Sequence, residues 1–164
     1  MKFNINQNDL QQSLGYCQGV IEKRSTLPIL SNILLDASGS KLKIIATDLD
    51  LVFVNEIKNV EIIEEGKTTT VSSTLYDIIR KFNSGKKINF NQTSENKIQL
   101  ESEKSIFNLN CLSATEFPVT EESFTANEFS IKAKELLKLL NKCKFSVSND
   151  ETRHYLSGIY IHQT

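Results

Sequence analysis

The sequence has 164 residues, with 19 Lys and Arg against 20 Asp and Glu and a formal net charge of -1. This length allows one or two domains with a buried core, and the balanced charge excludes a chain-wide field that would attract nucleic acid. Any contact with nucleic acid must therefore come from a local basic surface. The chain shows no signal-peptide core and no stretch of the roughly 20 apolar residues that span a bilayer, so we expect a cytoplasmic protein without a membrane partner.

The cysteines favour reduced thiols over any structural site. Cys17, Cys111 and Cys143 are odd in number, far apart and without a C-x-x-C pair. This spacing argues against both a disulfide framework and a zinc site. We expect mostly buried, free thiols and no metal or cofactor.

Apolar periodicity predicts an α+β fold. Phe3-Asn4-Ile5 alternates as a strand. One side of a first helix is then marked by Leu10, Leu14, Cys17 and Ile21, and a second helix is marked by Leu75, Ile78, Ile79 and Phe82. The later predicted strands are residues 33–37, 42–47, 51–58, 68–71, 87–91, 97–101 and 105–110. The order strand, helix, three strands thus occurs twice, and hairpin-length turns imply antiparallel sheets with both helices on one side.

A further repeat begins near residue 128. An offset of 126 residues places Phe129 under Phe3 and continues without a gap. The pairs that it aligns include Ile5 with Ile131, Leu10 with Leu136, Leu14 with Leu140, Cys17 with Cys143, Leu30 with Leu156, Ile33 with Ile159 and Leu35 with Ile161. Matches across strand, helix and strand patterns indicate a duplicated unit rather than chance similarity of amphipathic helices. We predict a first domain at 1–120, a linker at 121–127 and a truncated second domain at 128–164.

The truncated copy lacks the later strands that cover its counterpart in the first domain. We therefore expect that its apolar side chains, Leu136, Leu140, Ile159 and Ile161, are not all buried within their own unit.

Signals for catalysis are weak. Asp48 and Asp50 lie two apart on a predicted strand, so a metal-dependent nuclease or nucleotide-processing domain is the alternative function, yet no third ligand stands at a telling distance. His154 and His162 form no known catalytic spacing, and no glycine-rich phosphate loop is present. We do not expect an enzyme.

Four segments resemble a known family. Residues 25–32, STLPILSN, resemble the T-L-P-I-L-x-N segment of bacterial sliding clamps, the beta subunits of DNA polymerase III. Residues 47–50, 117–118 and 153–158 are similar to the T-D-L-[ED], F-P and R-[YH]-Y-L-N-G segments of the same family. The resemblance covers essentially the whole chain in the right order. It implies DNA-clamp domains, three per chain, in a non-catalytic, head-to-tail two-chain ring that encircles duplex DNA and confers processivity.

Basic residues on the second and third helix patterns, and at the end of the first, are candidates for DNA contact. The candidates are Lys23, Arg24, Arg80, Lys81, Lys134, Lys138 and Lys142. The last three recur every four residues opposite the leucines of the third helix, although a merely solvated face is the alternative. Arg24 matches a position that contacts DNA in the family. Ser73 and Thr74 stand where many relatives carry basic residues, and Asp150 replaces a neutral amide, which weakens the expected hold on DNA.

The resemblance also implies a docking edge for replication proteins. In relatives, the polymerase III catalytic subunit and the clamp loader insert linear peptides into a groove on the second domain. Arg153, His154, Tyr155 and Leu156 match one edge of that groove. Leu156 could equally belong to the core, since its repeat partner Leu30 is apolar.

The seam of the two-chain ring in relatives uses the last strand of the first domain. Phe107 and Leu109 match its apolar contacts, and Lys104 lies nearby. Residues two apart on a strand share a face, so the two apolar residues could form one patch or instead be buried within the domain.

Overall fold

The computed structural model describes residues 1–21, 27–118, 130–150 and 152–162. The chain divides into two compact units, Met1–Thr120 and Glu121–Thr164, and each is described by itself.

The described part of the first unit contains two α-helices, α1 (Gln7–Cys17) and α2 (Ser72–Ile79). Its strands are β1 (Lys2–Asn6), β2 (Asn32–Ser38), β3 (Lys41–Thr47), β4 (Val52–Ile57), β5 (Val60–Glu64), β6 (Gly66–Val71), β7 (Lys87–Ser94), β8 (Lys97–Ser102) and β9 (Ser105–Asn110). A 3-10 turn at Pro28–Ser31 leads into β2, and Pro28 suits its first position because no backbone donor is needed there.

The first half of the unit contains β1, α1 and β2 to β5, and the second half contains β6, α2 and β7 to β9. Each sheet takes strands from both halves. β1 pairs antiparallel with β7, with Phe3 opposite Phe90, and β6 pairs antiparallel with β2, with Leu35 opposite Thr68. The sheets therefore have the orders β5-β1-β7-β8-β9 and β4-β3-β2-β6. Because the first strands are exchanged, neither half completes its sheet without the other.

The core lies between the two helices and the two sheets. Leu10 and Leu14 of α1 and Leu75 and Ile79 of α2 are all 0% exposed, which confirms the predicted packing of both helices. The Phe3 and Phe90 rings stack across the β1–β7 pair with centroids 4.6 Å apart. Stacked rings of this kind add to the free energy gained from their burial.

The sequence patterns did not predict β5, and they predicted both helices to extend further than they do. β5, with the sequence VEIIE, lacks clean alternation, and it forms because β1 offers a free edge on which Ile62 lies opposite Phe3. α1 ends at Cys17, although the apolar spacing continues to Ile21, and α2 ends at Ile79 rather than at Phe82. The apolar residues beyond each helix end still pack against the core from turns.

The backbone after β9 occupies the place equivalent to β5 in the other half. The Thr69 N–H of β6 donates to the Leu112 carbonyl at 3.4 Å, and the Thr69 hydroxyl donates to the same oxygen at 2.9 Å. β5 flanks β1 and residue 112 flanks β6, so the twofold relation between the halves extends beyond the exchanged strands.

The second unit contains one α-helix in its described residues, α3 (Ala133–Cys143), followed by 3-10 turns at Lys144–Ser146 and His154–Leu156. The strands that the repeat predicts near residue 131 and over 156–161 are wrong for the described residues, which form no strand there. A strand needs a hydrogen-bonded neighbour, and the described residues of this unit offer none. Ile161 is 64% exposed, as expected for the truncated copy.

No helix among the described residues has both the length and the apolar character needed to cross a membrane.

Replacing Leu14 with alanine should destabilise the first unit by about 2 to 5 kcal/mol, because the side chain is 0% exposed and its removal leaves a cavity. Urea unfolding followed by circular dichroism measures the loss. The matched control is Leu137→Ala on α3, where the side chain is 59% exposed, and this change should leave the unfolding of the first unit unaltered. Equal losses in both variants would contradict the described core.

The three thiols should differ in reactivity. Cys17 and Cys111 are buried and Cys143 is exposed. Burial raises the pKa of Cys17 to about 12 and raises that of Cys111, so both remain protonated and unreactive in the folded protein. Titration with a disulfide reagent should modify Cys143 rapidly and the other two only after unfolding. Fast modification of Cys17 in the native protein would show that α1 is not packed as described.

Candidate functional site

The outer face of α1 is polar and uncharged along its middle. The Asn6 side chain caps the helix by accepting the Asn8 N–H at 2.9 Å, which fixes where the helix begins. Asn8, Gln12 and Tyr16 then follow at four-residue spacing and are exposed, opposite the buried leucines. The helix therefore presents amides and a phenol where a nucleic-acid surface is expected to present lysines.

A shallow groove of about 460 Å³ runs between α1 and α2, and we call it the helix-pair groove. Its lining residues are Asn8, Gln11, Gln12, Gly15, Tyr16 and Tyr76. The Gln12 amide donates to the Tyr16 hydroxyl at 3.1 Å. A Cβ added at Gly15 would lie 3.9 Å from the Tyr76 ring, so this glycine forms the floor beside that ring. Sequence patterns did not point to either tyrosine, although the spacing of Gln12 and Tyr16 was visible.

Arg80 and Lys81 are exposed, but they follow α2 instead of lying on the helix as predicted, because the helix ends at Ile79. The Arg80 guanidinium lies 6.0 Å from the centre of the Tyr76 ring, and its Nε lies 3.6 Å from Asp77 Oδ1. An exposed ion pair of this length is weak, so Arg80 remains able to bind an anion. Lys23 and Arg24 lie outside the described residues.

Two other lysines near the end of α2 are neutralised by carboxylates. Lys86 binds Glu103 at 3.0 Å, and Lys87 binds Glu61. Hydrogen bonding from Lys86 lowers the pKa of Glu103, and hydrogen bonding from Lys87 lowers the pKa of Glu61, so both acids keep their negative charge. These pairs reduce the local positive charge.

On α3, the three predicted lysines share one exposed face. Lys134, Lys138 and Lys142 are all exposed, and Leu136 and Leu140 on the other side are partly buried. α3 begins at Ala133, and no side chain caps its N-terminus. The helix is therefore stabilised by the packing of its leucines and not by a cap. The described second unit thus contains a row of cations at one-turn spacing.

The predicted peptide edge forms a short turn. Within it, the Leu156 N–H donates to the Arg153 carbonyl at 2.8 Å, and the Ser148 N–H donates to the Leu156 carbonyl at 2.9 Å. Tyr155 is 81% exposed and Leu156 is 43% exposed, while Arg153 pairs with Asp150 at 3.4 Å. Leu156 is therefore not a core residue of the described unit. The His154 side chain lies outside the described residues.

β9 forms one edge of the five-stranded sheet and has no neighbour on its outer side among the described strands. Leu109 packs against the core, and Phe107 is 36% exposed with its ring edge-on to Phe82 at 5.6 Å. Ile106, on the other face of the strand, is 58% exposed and was missed by sequence reasoning. Lys104 is exposed at the turn before the strand.

Asp48 and Asp50 lie in the turn after β3, not on a strand as predicted. The Asp48 carboxylate accepts the N–H groups of Asp50 at 3.1 Å and Leu51 at 2.7 Å, so it holds the turn together. Leu49 has a φ of 84°, a left-handed conformation that this turn requires. No group of three or more His, Cys, Asp or Glu side chains suited to a metal occurs among the described residues. The nuclease alternative has no support in this geometry.

Comparison with known proteins identifies the chain's relatives. The family model for the N-terminal domain of the DNA polymerase III beta subunit matches residues 1–121. The chain is similar to the beta sliding clamp of Caulobacter vibrioides, with 37% identity over 163 residues, covering 99% of this chain and 44% of that protein. It is 30% identical over 159 residues to the beta sliding clamp of Escherichia coli, covering 97% and 43%.

Solved structures agree. The structure is similar to the sliding clamp of Bartonella birtlesii bound to griselimycin, with a TM-score of 0.94 and 36% identity, covering 99% of this chain and 43% of that one. For the DNA polymerase sliding clamp of Caulobacter crescentus the TM-score is 0.92 at 37% identity, covering 99% and 44%. The chain thus spans less than half the length of these relatives. With the exchanged sheets, the helix pair and the family match over residues 1–121, the chain belongs to the DNA polymerase III beta subunit family, the bacterial sliding clamps.

Proposed function

We propose that this chain provides the first domain and the start of the second domain of a sliding clamp. In such a clamp, a non-catalytic ring around duplex DNA keeps the replicative polymerase on its template. The proposed boundaries are a first clamp domain at 1–120, a linker at 121–127 and the start of a second clamp domain at 128–164. The family match over residues 1–121 and the twofold fold of the first unit's described residues support this function.

The observation that carries the DNA-binding proposal is the lysine row of α3. Lys134, Lys138 and Lys142 are exposed at one-turn spacing, and flexible lysines bind phosphates without reading sequence. A ring that slides needs such contacts, since base-specific bonds would hold it in one place. In the first unit, we include the exposed Arg80 and Lys81 among the proposed DNA contacts. The family resemblance adds Lys23 and Arg24.

We further propose two protein-binding surfaces. The turn from Arg153 to Leu156 forms one edge of a groove for linear peptides of the polymerase III catalytic subunit and the clamp loader, with Tyr155 as an exposed anchor. The β9 edge, with Lys104, Phe107 and Leu109, pairs with another clamp domain in a head-to-tail dimeric ring. The free strand edge and the half-exposed Phe107 ring support the second surface.

Replacing the three α3 lysines with glutamine should weaken binding to a labelled duplex. The slope of log affinity against log salt concentration is about -0.9 for each phosphate contact, so its magnitude should decrease by roughly 2 to 3 when three contacts are lost. Fluorescence anisotropy over a series of salt concentrations measures both quantities. A triple glutamine variant at Lys2, Lys58 and Lys97, which are also exposed, is the matched control for net charge. Equal slopes in the two variants would mean that α3 has no specific part in binding.

Phe107→Lys should weaken association of this chain with the full-length Caulobacter relative by about tenfold or more, because it places a charge where an apolar anchor is expected. Native mass spectrometry of the mixture measures the complex. Ile63→Lys provides the control, since Ile63 is 56% exposed on β5 at the opposite edge of the same sheet. If the complex is lost with Ile63→Lys but kept with Phe107→Lys, the seam lies at the β5 edge and the proposal is wrong.

A further inference from the structure

An apolar groove of about 520 Å³ lies between α3 and residues 159–162, and we call it the α3 groove. Its aliphatic lining residues are Ile131, Leu136, Leu139, Leu140, Ile159 and Ile161. Two of these side chains are more than half exposed, Leu139 at 54% and Ile161 at 64%. A contact that covers this surface removes apolar area from water, which favours binding.

The first unit contains the same residue pattern in a buried state. α3 (Ala133–Cys143) corresponds residue for residue to α1 (Gln7–Cys17) at the offset of 126. The first-unit equivalents of five groove residues are at most 1% exposed, and they are Ile5, Leu10, Leu14, Ile33 and Leu35. The first unit therefore shows how such a pattern is covered.

In the first unit, the strand before each helix pairs with the strand after the other helix. Ile5 of β1 lies opposite Ile88 of β7, and Thr70 of β6 lies opposite Ile33 of β2. Both pairings are antiparallel, and each half supplies the neighbour that the other half needs. A strand–helix–strand segment thus completes its pairing with another segment of the same kind.

We propose that the α3 groove binds the same groove of a second copy of this chain, in a twofold-symmetric dimer. In this dimer, Ile131 of each copy lies opposite Ile159 of the other, as Ile5 lies opposite Ile88 in the first unit. Each copy then supplies the hydrogen-bonded neighbour that the described residues of the second unit lack. The contact is the same on both copies, so it closes at two. The inference goes beyond the proposed function and does not depend on DNA binding or on the β9 edge.

The charges of the second unit are compatible with this contact. Among the described residues, no Lys, Arg, Asp or Glu side chain lines the α3 groove. Lys134, Lys138 and Lys142 lie on the opposite, exposed face of α3, so the dimer does not bury them. The contact therefore has no desolvation cost from a buried charge.

The exposed area sets the expected strength of the dimer. Tyr160 also lines the groove and is 88% exposed, and an aromatic side chain of this kind buries about 150 to 250 Å². The exposed parts of Ile131, Leu139 and Ile161 add to this area. The total approaches the roughly 600 Å² per partner found at the lower end of specific interfaces. We therefore expect a dimer that forms as concentration rises and dissociates on dilution.

Sedimentation velocity of the full 164-residue chain measures this equilibrium. With rising concentration, the apparent mass of the unaltered chain should increase from 18.6 kDa toward twice that value. Ile161→Asp should weaken dimerisation about tenfold or more, because it places a carboxylate in the apolar contact, whereas Ile161→Val should retain the dimer. Ile63→Asp is the matched control, since Ile63 is 56% exposed on β5 and does not line the groove. This control should dimerise like the unaltered chain.

A second groove variant and a thiol provide independent readouts. Leu139→Lys changes another exposed groove residue and should have the same effect as Ile161→Asp, and circular dichroism checks that both variants keep their helices. Cys143 is exposed and lines the groove, so its modification by a disulfide reagent should slow as the concentration of the unaltered chain rises. In Ile161→Asp the modification should stay fast over the same range of concentrations.

Three results would overturn the inference. An apparent mass of 18.6 kDa at every concentration would exclude the dimer while leaving the proposed function intact, because duplex binding is measured separately. A dimer that survives both Ile161→Asp and Leu139→Lys, or that only Ile63→Asp breaks, would use another surface. Slow modification of Cys143 at every concentration, with no change in mass, would mean that the groove is closed within one chain.

Discussion

The exchange of first strands between the two halves is the constraint on which the rest of the first unit depends. β1 completes the sheet of the second half and β6 completes the sheet of the first, so the two sheets cannot form separately. The stacked rings of Phe3 and Phe90 lie at one of these exchanges, and both are almost completely buried. The two helices then cover the shared core, because packing there removes their apolar side chains from water.

This arrangement decides what remains available for binding. With the core shared by helices and sheets, each helix directs its polar side outward. The edge strands are β5 and β9 in one sheet and β4 and β6 in the other. Among the described residues, the surfaces open to a partner are therefore helix faces and strand edges. The half-exposed Phe107 and the open helix-pair groove are examples of the two kinds of surface. Both surfaces are open along their length rather than enclosed.

The second unit shows how far the same sequence pattern depends on its surroundings. Leu10 and Leu14 of α1 are 0% exposed, whereas their repeat equivalents on α3, Leu136 and Leu140, are only partly buried. The helix forms in both places because its periodicity is local. The strands do not, because their hydrogen bonds require neighbours that the first unit has and the described second unit lacks. The apolar α3 groove of about 520 Å³ lies between α3 and residues 159–162.

The sequence by itself determined the features that arise from short-range periodicity: both helices of the first unit, most of its strands, the lysine row of α3 and the motifs that indicate the family. Only the tertiary structure decided which strands pair, and hence that β5 joins the sheet at β1. The tertiary structure also made Asp48, a possible metal ligand by its spacing, an acceptor that holds a turn. It brought Tyr76 beside Gly15, which lies 61 positions earlier in the sequence. The physical reason is that a helix or strand pattern repeats within a few residues, whereas pairing and packing depend on contacts between distant segments that periodicity does not encode.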